Sequence, residues 1–248
     1  MKLPNSKLPV VNVLDLIKTQ VYEIDDAYYI KAYPAIGNLY ISKGNLGYIT
    51  GYIRTRGRNN GKYPYNYLEM INEVFGYDRN TIEVCSNSVK DVFTVDIRPE
   101  YNPSCVDNAE TLYKIESNRF DRWRCDPPYN DRTAKKMYGT PLPDVGKLLK
   151  AGARVCKPKA LMFLLLGNVN RQACPLGIKR IGHVSISVIP NNENRSLHIY
   201  YKLPVEGALN YELPGVSATN LTENDTCNVS ILDMNAVRPI VKGGEIKR

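Results

Sequence analysis

The spacing of apolar side chains predicts alternating helices and strands in the middle of the chain. Behind Pro64, apolar residues recur at helical spacing until Gly76, which predicts one helix. A second helix is expected after Asp144, because an aspartate suits the N-cap and apolar residues follow on one face. Short apolar stretches predict strands between and beyond these helices, at residues 81–85, 92–97, 105–107, 120–125 and 161–166.

Two different apolar patterns mark the last predicted strands. Residues 161–166 are apolar without interruption, which indicates a strand buried on both faces, as in the centre of a parallel sheet. Residues 184–188 alternate between apolar and polar, which predicts a strand. A turn is expected at 190–194, and residues 197–201 are expected to form the second strand of a hairpin. The chain is therefore expected to form an α/β layer fold that ends in an antiparallel hairpin. In such folds, ligands bind at the carboxyl ends of the strands.

The two ends of the chain show weaker patterns. Residues 37–55 contain tyrosines that favour strands, interrupted by Gly44 and Gly47, and they lead into a basic loop. We therefore expect an N-terminal extension with this loop at residues 1–61, a core at 62–203 and a C-terminal extension at 204–248.

Composition and charge point to an anionic partner. The chain has 248 residues, of which 43% are hydrophobic, and this suits one domain with appendages. The net charge of +8 and the pI of about 9.1 favour nucleic acid as the partner. The basic loop could contact phosphates or could be a solvated turn, and its cations are Arg54, Arg56, Arg58 and Lys62.

Several features that the sequence lacks narrow the class of protein. No apolar run reaches the roughly 18–20 residues that span a membrane, and the first residues lack a signal-peptide core. The six cysteines are scattered without a C-x-x-C pair, so reduced thiols are expected rather than disulfides or a zinc site. We therefore expect an intracellular, cytoplasmic protein without a membrane partner or a metal, present as a monomer or a homodimer.

Acidic side chains follow three of the predicted strands. Asp96, Asp107 and Asp126 each fall at or near a strand end, and isolated buried carboxylates would be costly there. Solvated loop acids would explain any one of them, but explain all three together less well. Asp126 begins a stiff segment, because two prolines restrict the backbone before Tyr129. A carboxylate, a carbonyl and an aromatic face held in this way suit a planar heterocycle that carries an amino group.

The segment Asp126-Pro127-Pro128-Tyr129 resembles the catalytic motif of S-adenosylmethionine-dependent amino-methyltransferases that act on nucleic-acid bases. The resemblance extends over about residues 62–203. It implies a Rossmann-like methyltransferase fold, with a mixed seven-stranded sheet, helices on both faces and a C-terminal antiparallel hairpin. It also implies S-adenosylmethionine as the cofactor, with DNA as the main partner and RNA as the alternative.

The resemblance assigns roles to individual residues. Asp96 matches the acid that holds the ribose hydroxyls of the cofactor, and residues 106–109 match the segment at its adenine. The cofactor-binding residues implied in this way are Pro64, Glu83, Cys85, Ser86, Asn87, Asp96, Ile97, Asp107 and Asn108. Nucleic-acid contacts are expected from Asn130 together with the basic loop. The family's first loop is usually glycine-rich, whereas residues 83–89 contain no glycine, and Asn87 is best suited there to a left-handed conformation.

The resemblance implies a reaction at an exocyclic amine. Asp126 and the carbonyl of Pro127 would each accept one N–H of the amine, and Tyr129 would stack on the base. The aspartate form of the motif favours adenine in DNA as the target. An RNA base amino-methyltransferase stays open as an alternative. So does an inactive nucleic-acid-binding relative, because residues 83–89 lack glycine.

Overall fold

One mixed β-sheet runs through the described part of the protein. The computed structural model describes residues 10–56, 63–87, 89–167, 174–189 and 193–204. The strands are β1 (Val21–Ile24), β2 (Ala27–Lys31), β3 (Ile36–Ser42), β4 (Ile49–Arg56), β5 (Thr81–Val84), β6 (Phe93–Asp96), β7 (Cys105–Val106), β8 (Phe120–Cys125), β9 (Cys156–Leu166), β10 (Ile178–Ile189) and β11 (Glu193–Lys202). The α-helices are α1 (Tyr67–Phe75), α2 (Asp131–Tyr138) and α3 (Val145–Val155).

The eleven strands lie in the order β1-β2-β3-β4-β10-β11-β9-β8-β5-β6-β7. β1 to β4 form an antiparallel meander, and β4 continues the sheet by pairing in parallel with β10. β11 lies antiparallel between β10 and β9, whereas β9, β8, β5, β6 and β7 pair in parallel. The α/β class and the C-terminal antiparallel hairpin are therefore confirmed.

The expected number of seven strands is wrong, because the sheet has eleven. β5 to β11 account for seven strands, and β1 to β4 add four more on the side of β10. Glycines obscure the apolar alternation in this added part. Gly51, for example, stands at a crowded position where a Cβ atom would lie 2.8 Å from Leu39 Cδ2. The predicted division near residue 61 falls between β4 and α1, and the sheet is continuous across it.

Apolar side chains fill both faces of the sheet. Along β9, Phe163 belongs to one buried cluster, whereas Met162 and Leu164 belong to the other. α1 packs in the first cluster, where the ring centroid of Phe75 lies 5.1 Å from that of Phe163, and α3 packs in the second. This alternation confirms the prediction that residues 161–166 are buried on both faces of the sheet.

The end of α1 and the start of α3 are where the sequence predicted, whereas α1 begins at Tyr67 rather than directly behind Pro64. α1 ends at Gly76, whose φ of 79° is a conformation that side chains other than glycine rarely adopt. α3 begins behind Asp144, whose side chain accepts a hydrogen bond from the Lys147 N–H at 2.8 Å. Local capping chemistry therefore sets these boundaries.

Two further expectations concern cysteines and membranes. Among the cysteines that the structure describes, four are free, namely Cys85, Cys125, Cys156 and Cys174. Cys105 is disulfide-bonded, which corrects the expectation that all six cysteines are reduced. None of the helices in the described ranges is both long and apolar enough to cross a membrane. The predicted C-terminal extension lies outside the described residues after Pro204.

Candidate functional site

The chain changes direction across the sheet at β5. It passes from β5 to β6 and β7 on one side, and then returns to β8 on the other side. Such a reversal leaves a crevice at the carboxyl ends of the parallel strands, and ligands bind there in open α/β sheets. A cavity lies at this edge of the sheet, lined by residues that follow β5, β6, β7 and β8 and by the end of α2.

Predicted cofactor-binding residues meet at this cavity. Its walls include Cys85, Asp96, Ile97, Asp107 and Asn108, together with Pro128 of the motif. Further wall residues follow α2 or end it, and the sequence did not indicate them; they include Tyr138, Thr140 and Leu142. The structure thus brings together residues from five separate segments, and their roles toward a cofactor stay predictions.

Asp96 organises the glycine-free loop that follows β5. Its carboxylate accepts the Asn87 N–H on Oδ2 and the Arg98 N–H on Oδ1, each at 3.0 Å. Two residues of the loop have left-handed backbone, Cys85 with a φ of 58° and Asn87 with a φ of 44°. The expectation for Asn87 is confirmed, whereas the conformation of Cys85 was not foreseen, because cysteine rarely adopts it. The loop therefore reaches a conformation that favours glycine without containing one.

Asp107 fixes the segment that follows β7. Its Oδ1 accepts the Asn108 N–H at 2.7 Å, and its Oδ2 accepts the Lys114 N–H at 2.9 Å. Asp107 is 5% exposed, and burial raises its pKa against the opposing effect of these hydrogen bonds and of the Lys114 charge. Asp96 and Asp107 thus accept backbone hydrogen bonds that hold the loops around the cavity in place.

The motif at residues 126–129 follows β8 at the same edge of the sheet. Tyr129 Oη donates a hydrogen bond to Asp126 Oδ1, so the acid and the aromatic ring are held together. Burial raises the pKa of Asp126 to about 7. The hydrogen bond from Tyr129 and the charge of Arg195 oppose this shift, and the charge of Glu83 adds to it. Near neutral pH, the carboxyl group of Asp126 is therefore protonated in part of the molecules and ionised in the rest.

Two residues that the sequence did not indicate enclose the ring of Tyr129. The guanidinium carbon of Arg195, on β11, lies 3.8 Å from the ring centroid, which is a cation–π distance. Gly167 follows β9, and a Cβ atom at this position would lie 2.8 Å from Tyr129 Cβ. A glycine after a buried strand can signal a close approach. Nothing in the sequence links Arg195 to Tyr129, because only the sheet brings β11 near the end of β8, with β9 between them.

Glu83 lies in the core rather than in the cavity wall. It is fully buried, its Oε2 pairs with Arg124 Nε at 2.7 Å, and Tyr63 Oη donates to its Oε1. Burial raises the pKa of Glu83, against the opposing effects of Arg124 and Tyr63. Pro64 and Ser86 are also buried and are not part of the cavity lining. The predicted cofactor-binding set is therefore divided between the cavity wall and the core behind it, except for Asn87, which is half-buried and does not line the cavity.

The predicted nucleic-acid contacts lie in different places. Asn130 is the N-cap of α2, where its side chain accepts the Thr133 N–H at 2.8 Å. Arg54 and Arg56 are exposed at the end of β4. They share the carboxyl edge of the sheet with the motif, because β4, β10, β9 and β8 all run in one direction. The other cations of the basic loop, Arg58 and Lys62, lie outside the described residues.

Arg98 fastens α2 to the end of β6. Its Nη1 donates to the Met137 carbonyl at 3.0 Å. Its guanidinium carbon lies 4.4 Å from the ring centroid of Tyr101 and 5.6 Å from that of Tyr138. Because Tyr138 lines the cavity, these contacts of Arg98 help to position the part of the cavity wall that the end of α2 contributes. The sequence did not indicate this role of Arg98, because a basic residue after a predicted strand is usually solvent-exposed.

Comparisons with known proteins add little to this geometry. No family model matches the chain, and no curated protein matches it. Among solved structures, TrmN from Thermus thermophilus is similar over 50% of this chain and 43% of its own chain, with 13% sequence identity and a TM-score of 0.37. A likeness of this size supports no conclusion on function. Within the described residues, no group of three or more His, Cys, Asp or Glu side chains could hold a metal ion.

Proposed function

We propose that the protein transfers a methyl group from S-adenosylmethionine to the exocyclic amino group of a nucleic-acid base, with adenine in DNA as the favoured target. The observation that carries the proposal is the motif at residues 126–129, which stands at the carboxyl end of β8. Its Pro128 shares a cavity wall with Asp96 and Asp107. The order of β5 to β11, with the antiparallel β11 between β9 and β10, supports the fold that the motif implies.

The cavity residues fit the chemistry of this cofactor. The carboxylates of Asp96 and Asp107 are acceptors suited to hydroxyl and amino groups. Ile97, Ala109 and Leu142 offer apolar surface to a flat ring in the same cavity. When bound, S-adenosylmethionine would supply an electrophilic methyl group on a positively charged sulfur.

Asp126 and Pro127 would position the reacting amine. An exocyclic amine is a weak nucleophile because its lone pair is delocalised into the ring. Hydrogen bonds from the amine to a carboxylate and a carbonyl would direct that lone pair, which is a positioning and electrostatic effect. A carboxylate has two acceptor oxygens, so Asp126 can hold Tyr129 on Oδ1 and still accept the amine on Oδ2.

Arg195 constrains how a base would reach Tyr129. Its guanidinium covers one face of the ring, so a base stacks on that face only after Arg195 moves, or else uses the other face. A base inside a duplex must first leave the stack. Stacking on an aromatic side chain offsets part of this cost, by about 1–3 kcal/mol per base.

Calorimetric titration with S-adenosylmethionine tests the cofactor directly. We expect one binding site, because the acids and the apolar wall belong to a single cavity. A protein that shows no binding heat under any condition would be a nucleic-acid-binding relative without this activity.

Asp126→Ala tests the motif. We expect transfer of a labelled methyl group to a short DNA strand to fall by more than about 100-fold, because an acceptor that acts mainly in the transition state is lost. Affinity for S-adenosylmethionine should stay close to that of the wild type. Glu116→Ala is the control, since Glu116 is an exposed acid that does not line the cavity. Strands without adenine, and RNA of the same sequence, identify the base and the sugar that are accepted.

Loss of cofactor binding in Asp126→Ala would contradict the role given to Asp126. An unchanged rate of transfer would contradict it as well.

A further inference from the structure

Within the part of the chain that the structure describes, no element covers one face of the sheet over β1 to β4, and this face is called the open face. The face that α3 covers at β8 and β9 continues across β10 into this meander, but side chains are exposed there. Tyr52 is 50% exposed on β4, and Tyr22 is 37% exposed on β1. Their strand neighbours of opposite parity, such as Ile30 and Ile53, are buried in the core on the other side. The open face is therefore not a gap in the hydrophobic core.

Strand register aligns aromatic side chains across this face. Tyr22 lies opposite Tyr29, Tyr29 lies opposite Tyr40, and Tyr40 lies opposite Thr50, which is paired with His183 of β10. Residues that are directly paired point to the same face of a sheet. Tyr22, Tyr29, Tyr40 and His183 thus form an aromatic row that runs across the strands. Within it, the ring centroids of Tyr29 and Tyr40 lie 5.0 Å apart in an edge-to-face contact.

Cations accompany the aromatic row. Lys31, Arg54 and Arg56 have the same parity as the row, and Lys31 Nζ lies 5.6 Å from the ring centroid of Tyr22. Among the described residues of β1 to β4 and β10 that point to this face, none is acidic. Exposed rings beside uncompensated positive charge are complementary to a polyanion with accessible bases.

The cationic end of the open face leads to the motif. Arg54 is paired with Ser187, and Ser187 is paired with Asn194. The next residue in the chain, Arg195, is paired with Ile186 and so points to the other face of the sheet, where it stacks on Tyr129 at the carboxyl edge. Four strand-to-strand steps separate β4 from β8, which is roughly 19 Å at the usual strand spacing. A short stretch of an extended strand can span this distance.

We propose that the open face binds single-stranded nucleic acid, with unpaired bases on the aromatic row and on the neighbouring Tyr52, and phosphates at Lys31, Arg54 and Arg56. The strand then passes over the carboxyl edge of the sheet, which Arg54 and Arg56 share with the motif, and reaches Tyr129 past Arg195. Aromatic side chains stack on unpaired bases, whereas a duplex hides the faces of its bases, so the surface fits a single strand. The inference rests on the proposed function for the base delivered to Tyr129, but strand binding itself requires neither the cofactor nor methyl transfer.

Fluorescence anisotropy of a labelled single strand of about twelve nucleotides, without S-adenosylmethionine, measures this binding. Tyr40→Leu and Tyr52→Ala should each weaken binding by roughly tenfold, because each removes one stacking surface. Tyr40→Phe keeps the ring and should bind like the wild type. Tyr77→Ala is the matched control, since Tyr77 is 54% exposed between α1 and β5, at the opposite edge of the sheet.

Thermal unfolding of each variant is compared with the wild type, and Tyr52→Ala decides the outcome if Tyr40→Leu does not fold. Unchanged affinity in a folded Tyr52→Ala protein would overturn the proposal. Tighter binding of a duplex of the same sequence would also overturn it. A different result would contradict the proposed function alone. If the protein binds the strand through these tyrosines but does not bind S-adenosylmethionine, the open face binds nucleic acid and the proposed methyltransferase activity is wrong.

Discussion

At the scale of single residues, Asp126 holds a proton more tightly in the folded protein than in the unfolded chain. Burial is the main cause of the raised pKa of about 7, compared with roughly 4 for an exposed aspartate. Between these two values, the folded protein keeps a proton that the unfolded chain has lost. Stability therefore falls as the pH rises from about 4 to about 7, and stays lower above pH 7.

Asp126→Asn removes this pH dependence, because an amide does not ionise. Relative to the wild type, we expect the variant to gain about 1 kcal/mol of unfolding free energy as the pH rises from 5 to 8. This is roughly half of what the pKa shift would give over this pH range, since the carboxyl group keeps some contact with solvent. Urea denaturation at both pH values measures it, with Glu116→Gln as the exposed control. A difference that does not change with pH would contradict the raised pKa.

Glu83 shows that a residue near a site can serve the core instead. Its ion pair with Arg124 is buried on both sides, with side chains 0% and 2% exposed. Breaking such a pair leaves an uncompensated charge in the interior, which costs about 3–5 kcal/mol.

Glu83→Gln is therefore expected to lower the unfolding free energy by about 3 kcal/mol, measured by urea denaturation at neutral pH. Glu23→Gln is a suitable comparison, because Glu23 pairs with Lys43 at the same distance of 2.7 Å but is 61% exposed. The exposed pair should contribute little, since solvent screens it. Equal losses in both variants would rule out a special role for the buried pair.

At the scale of elements, α3 is placed against β8 and β9 by a missing side chain. A Cβ atom at Gly152 would lie 2.8 Å from Trp123 Cε2 and 2.9 Å from Met162 Cε. Both of these side chains are fully buried and have little room to move. Helix propensity alone would favour alanine at this position, so packing overrides it.

Gly152→Ala is expected to lower the unfolding free energy by about 1–2 kcal/mol, because overpacking outweighs the gain in helix propensity. Gly146→Ala, in the same helix at a half-buried position, should raise the unfolding free energy by up to about 1 kcal/mol. Both values follow from chemical denaturation. If both variants are stabilised, the close approach to Trp123 is not limiting.

At the scale of the whole molecule, the parallel strands gather distant residues at one edge. β4 and β8 end at the same edge, although α1, β5, β6 and β7 lie between them in the chain. The basic residues Arg54 and Arg56 and the motif therefore belong to one surface. A positive net charge of +8 strengthens attraction of a nucleic acid to it.

Arg54→Ala combined with Arg56→Ala should flatten the salt dependence of single-strand binding. The slope of log affinity against log salt is expected to decrease in size by about 1.4, because two phosphate contacts are lost. Arg79→Ala combined with Lys159→Ala removes the same charge from exposed positions where β5 and β9 begin. Anisotropy titrations at several salt concentrations compare the two variants. An equal change in slope would mean that only net charge matters.

Part of the site was predictable because its signals are local. Two prolines stiffen the backbone after Asp126, and the aromatic residues Phe120 and Trp123 before it favour the strand that carries it. Asn87 was expected to take a left-handed conformation for the same kind of reason, and it does. Arg195 and Gly167 were missed, because their contacts with Tyr129 arise only when β9 and β11 pair.

The sequence by itself determined the α/β class, the end of α1, the start of α3, and the position of the motif after a strand. These features depend on apolar periodicity and capping within a few residues. Only the tertiary structure decided that four N-terminal strands join the sheet, that Glu83 is paired in the core, and that tyrosines from separate strands align in a row. Strand register and burial are set by residues far apart in the chain, and no local pattern contains them.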